Sequence, residues 1–129
     1  MLSRALSAAL LLGLVSASPA MAQGQPQADL RPVAERLRSL ERAEEEYYNV
    51  YNFFTQDLTS LRLPAEDDVR LQVLYAGGAG WVAIGWRETR PNRQCVIFSG
   101  DRADLPEVPG TTDGTAALHP GQPACDDTP

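Results

Sequence analysis

The chain has no lysine: its eleven basic residues are all arginine, set against seventeen carboxylates, a single histidine and two cysteines. The missing lysine excludes Schiff-base chemistry and a lysine-bearing P-loop. A net charge of −6 with dispersed arginines offers little to nucleic acid or to an anionic membrane surface. Two cysteines and one distant histidine fall short of the four ligands of a structural zinc site. The apolar run Leu10 to Val15 is soon broken by Ser16, Ser18 and Pro19, too short for a transmembrane helix.

What is present begins with an export signal of bacterial type. Arg4 is the sole charge before Asp29, the apolar run follows it, and Ala20-Met21-Ala22 fits the A-x-A pattern of signal peptidase. We expect a signal peptide over 1–22, a flexible polar lead over 23–28, and one domain over 29–129 in the periplasm or outside the cell. A domain of this size hides roughly 60–70 % of its unfolded surface. In an oxidising compartment Cys95 and Cys125 are expected to pair. The bridge closes a loop of about 30 residues and contributes roughly 3–4 kcal/mol in the chain-entropy model.

A long helix is expected from Asp29, which has the chemistry of an N-cap, with Pro32 in the first turn. Val33, Leu37, Leu40, Tyr47, Tyr51 and Phe54 form one helical stripe, with Glu44 filling the skipped place. Asn52 to Leu63 reads as the helix end plus a short helical turn, stopped by Pro64. From Val69 the period becomes two. Strands are expected from Val69 to Tyr75, Trp81 to Arg87 and Gln94 to Ser99, joined by turns at Gly77 to Gly80 and at Pro91-Asn92. Val82, Ile84 and Trp86 are expected on one face of the second strand and Trp81 on the other. Residues 100–129 show no period and read as an irregular loop that Cys125 ties back to the third strand. The fold class is therefore α+β: one long helix at the N-terminal side, packed on a three- or four-stranded antiparallel meander, with a disulfide-closed C-terminal loop.

That combination resembles the globular domain of type IV pilins and of type II secretion pseudopilins. The local text carrying the likeness is Glu46-Tyr47-Tyr48-Asn49-Val50-Tyr51 followed by Asp57-Leu58 and Leu61, then Gly80-Trp81-Val82-Ala83-Ile84-Gly85-Trp86 and Cys95-Val96-Ile97. It covers about residues 33–125. Pilins retain an apolar fibre helix with a glutamate at its fifth position. Here the apolar run sits inside an ordinary signal peptide, so the resemblance implies a soluble pilin-like domain without the fibre helix.

No catalytic constellation stands out. His119 lies in the Pro/Gly-rich loop, where Ser99 or Thr111-Thr112 are the nearest ideas for a nucleophile. Carboxylates are plentiful, among them Glu44-Glu45-Glu46, Asp67-Asp68 and Asp126-Asp127, but sequence spacing cannot set the separation that a glycosidic pair requires. Asp101, Asp104 and Asp113 form the one set compatible with a calcium ion, and no EF-hand spacing accompanies them. Tyr48, Phe53 and Trp81 lie off the expected buried faces and form the candidate partner surface. The expectation is a non-catalytic exported binding or assembly module, without cofactor, that meets a protein partner, with pilus or secretion machinery implied by the resemblance. The alternative is a small exported enzyme or enzyme inhibitor.

Overall fold

The computed structural model describes residues 29–65 and 68–127; the expected signal peptide, the polar lead and Asp67 lie outside them. Helix α1 spans Arg31–Tyr51 and helix α2 spans Leu58–Leu61. Strands β1 (Val69–Ala76), β2 (Gly80–Arg87), β3 (Arg90–Gly100) and β4 (Ala124–Cys125) form one antiparallel sheet in the order β1-β2-β3-β4. The α+β class, the long helix and the meander agree with the sequence. The fourth strand, only two residues long, was hidden in the stretch expected to be irregular. The helix begins at Arg31, well inside the chain.

The α1 face that meets the sheet is Val33, Ala34, Leu37, Leu40 and Glu44, all buried. Each large aliphatic side chain so buried contributes roughly 1.5–3 kcal/mol. Opposite them lie Val69, Val73, Trp81, Ala83, Cys95 and Ile97. Gly85 lets the helix come close. A Cβ there would stand 2.8 Å from Val33 Cγ1 and 2.9 Å from Leu71 Cδ2.

The face of β2 that meets α1 is the reverse of the expected one. Trp81 and Ala83 face α1, while Val82 and Ile84 face away. Apolar residues occupy both parities of this strand, so alternation alone could not choose. A bulge at Leu74 adds a second twist: Val73 pairs with Ala83, but Tyr75 pairs with Val82. The extra residue moves Tyr75 to the face away from the helix, with Val82.

That second face is covered by the C-terminal segment. Val82, Val96 and Phe98 pack with Val108 and Ala117, and Leu105 closes the edge. Besides the short β4 and the disulfide, carboxylates bonded to backbone amides hold the segment. Buried Asp126 accepts the Gln94 N–H (2.7 Å) and the Asp113 N–H (2.8 Å), and Asp113 accepts the Asp127 N–H at 2.7 Å. A buried backbone donor needs such a partner. The Arg102 guanidinium stands 5.6 Å from the Phe98 ring centroid and donates to the Ala117 carbonyl at 2.8 Å. Cys95 and Cys125 are bonded as cross-strand partners of β3 and β4, as expected.

Two local expectations need correction. Asp29 does not cap α1; Leu30 occupies the N-cap without a side-chain bond. The Asp29 carboxylate instead accepts from Arg93 (2.6 Å) and Arg90 (3.3 Å), whose charges outcompete an amide. The β2–β3 turn falls at Glu88-Thr89, with Pro91-Asn92 already inside β3. Asp68 fixes that turn by accepting from Arg87, from the Thr89 N–H and from the Thr89 hydroxyl. The Arg87 hydrogen bond in turn holds the Asp68 carboxyl below its usual pKa.

Candidate functional site

The buried face of α1 runs from Val33 in its first turn to Glu44, and no residue of α1 beyond Glu44 is buried. Here the expected stripe leaves the core, with Tyr51 55 % exposed, and the neighbouring Val50 is 71 % exposed.

Asn52 ends the helix in a left-handed conformation (φ 60°), its N–H donating to the Tyr48 carbonyl at 2.8 Å. Asparagine tolerates that backbone better than most residues. The chain reverses, which brings Phe53 against Tyr47 and Tyr51 (ring centroids 5.6 and 6.3 Å) and Phe54 against Tyr48 (4.6 Å). Tyr47 and Tyr51, one turn apart, stand 4.4 Å from each other. Five of the chain's nine aromatic residues thus lie within positions 47–54.

Three hydrogen bonds hold this turn to the body of the domain. The Phe54 N–H donates to the Gly77 carbonyl (3.0 Å), the Gln56 amide to the Leu74 carbonyl (3.0 Å), and the Thr55 N–H to Glu44 Oε2 (2.9 Å). Glu44 itself is fully buried, and its Oε1 has no hydrogen-bond partner among the described residues. Burial pushes its carboxyl up to about 7, against the opposing pull of the Thr55 amide. Beyond the turn, Asp57 caps α2, accepting from the Thr59 N–H (3.0 Å) and the Ser60 hydroxyl (2.8 Å). The Ser60 bond, foremost, holds its carboxyl below the usual carboxylate range.

Of the surface residues expected from sequence, Phe53 is exposed (47 %) and Tyr48 is partly buried against Phe54. Trp81 is 0 % exposed and belongs to the core beneath α1, so it takes no part in a partner surface. Tyr47, Val50 and Tyr51 replace it. The sequence did carry a signal for them: after Leu40 the stripe changes from aliphatic residues to a glutamate and then tyrosines.

The calcium set is not assembled. Asp101 Oδ1 caps the short 3₁₀ turn Arg102–Asp104, and Asp104 is exposed. Asp113 is taken up by Thr111, Thr115 and Asp127. Among the described residues no three His, Cys, Asp or Glu side chains converge on a common point. His119 is exposed on a turn, and Thr111 is buried with its hydroxyl donating to Asp113. A groove of about 330 Å³ lies between α1, α2 and β1, lined by Leu58, Leu63, Leu71, Arg36 and Arg70; Arg70 is already paired with Glu88 at 2.9 Å. Among the described residues no helix is long and apolar enough to cross a membrane.

Comparison with protein-family models, with curated proteins and with solved structures finds no match.

Proposed function

We propose that the chain is an exported, non-catalytic binding module that engages a protein partner through the aromatic end of α1. The observation that carries this reading is the pinned display of Tyr47, Val50, Tyr51 and Phe53. Exposed aromatics cost solvation and are enriched at the centres of protein interfaces. A turn held by three hydrogen bonds keeps them ordered before binding, which lowers the entropy lost on association.

The partner class follows from the resemblance stated above. A long helix on an antiparallel sheet, with a disulfide closing the C-terminal segment, is the arrangement expected of a pilin-like domain. Such a domain serves as an accessory to a pilus or to a type II secretion machine. The signal peptide cut after Ala22 supplies the route to the periplasm or beyond. Affinity capture of the tagged mature chain from its native envelope tests this. Recovery of pilins, pseudopilins or their secretin supports it, and a monomer that ignores all three removes the assembly role.

A further inference from the structure

The stretch of chain that forms the aromatic end carries charge of one sign. No basic residue occurs between Arg42 and Arg62, while Glu45, Glu46 and Asp57 are exposed there. The last turn of α1 contains no basic residue. The negative pole of the helix macrodipole, formed by its final carbonyl groups, therefore has no positive side chain from its own last turn. Glu46 precedes Val50 by one helical turn, so a carboxylate borders the apolar surface directly. Tyr47, Tyr51 and Phe53 add ring faces, whose quadrupoles attract cations. The same chain uses that chemistry internally, where Arg102 lies over Phe98.

We infer that the surface formed by Tyr47, Val50, Tyr51 and Phe53 receives a cationic protein segment, with arginine or lysine side chains seated on the rings and their charge facing Glu46 and the end of α1. This rests on the binding-module reading and names the chemistry of its partner. An anionic segment or an anionic lipid surface would be repelled by the same carboxylates. A purely apolar partner would leave them without a counter-charge.

The test is an NMR titration of the disulfide-bonded mature chain with a short peptide of alternating arginine and serine. A peptide carrying glutamate in place of arginine is the control. Binding of the arginine peptide should shift the ring signals of Tyr47, Tyr51 and Phe53 and the amides of 50–54, and should weaken steeply as salt is raised. Tyr51→Ala with Phe53→Ala should weaken it about tenfold, and Tyr51→Phe should retain it. Both positions are largely exposed, so the fold is expected to survive, and near-ultraviolet circular dichroism checks this.

Shifts centred on Asp101 and Asp104 and unchanged in the double variant would overturn the inference. So would equal binding of the glutamate peptide, or a concentration-dependent dimer that the double variant abolishes. If the peptide fails while capture of an envelope partner still depends on Tyr51 and Phe53, only the cationic chemistry is wrong. If capture ignores those two residues, the binding-module reading itself fails.

Discussion

Replacing Glu44 by glutamine should reshape the pH dependence of stability. The Glu44 carboxyl is fully buried, and burial raises its pKa from 4.5 to about 7. Below pH 4.5 both the folded and the unfolded chain carry the proton. From 4.5 to about 7 the unfolded chain has lost it and the folded chain keeps it, so stability falls as pH rises; above about 7 the loss is complete. The shift corresponds to about 3 kcal/mol over that window. Glutamine carries no charge at any of these pH values, and its carbonyl can still accept the Thr55 N–H. Its amide N–H₂ lacks a partner just as Oε1 does, at a cost that does not vary with pH. The variant should therefore gain on the wild type by about 3 kcal/mol between about pH 4.5 and pH 8, or roughly 10–20 °C in Tm. Glu41 titrates in the same direction, through partial burial and its neighbour Glu45, but is present in both proteins and cancels in the difference. Thermal unfolding followed by circular dichroism across that range measures the gap. Two curves that stay parallel at every pH would refute the reasoning, because they would mean that Glu44 ionises as an ordinary surface carboxylate.

Replacing both cysteines by serine should cost about 3–4 kcal/mol, and adding reductant to the wild type should give the same drop in Tm. Gly85→Ala puts a methyl group 2.8 Å from Val33 Cγ1 and should destabilise by roughly 1–3 kcal/mol in chemical denaturation. Asp126→Ala deprives the Gln94 and Asp113 amides of their acceptor; it should cost roughly 2–4 kcal/mol, with hydrogen exchange accelerated first at those two amides.

Local periodicity carried much of the fold. The helix, the three long strands and the Gly77–Gly80 turn could be read from it, because each depends on neighbouring residues. The features that escaped are set by distant partners. Asp29 has the chemistry of a cap, but arginines some sixty positions later claim its carboxylate. Trp81 was assigned to the wrong face because Val82, Ala83 and Ile84 are also apolar, and only the covering of both faces resolves the parity. The C-terminal segment has no period to detect, since Asp113 and Asp126 order it by side-chain bonds to backbone amides. The aromatic end was half legible. Phe53 was named, whereas Tyr47 and Tyr51 continue the buried stripe in sequence but leave the core in space, since the buried face of α1 ends at Glu44.

Site-directed photo-crosslinking in the native envelope tests the central claim most directly. A photoreactive phenylalanine analogue is placed at Tyr51, and, as a control, at Glu107, which is exposed on the C-terminal segment. A discrete crosslinked partner is expected from position 51 and none from position 107. Equal products from both positions, or a product from 107 alone, would contradict the claim.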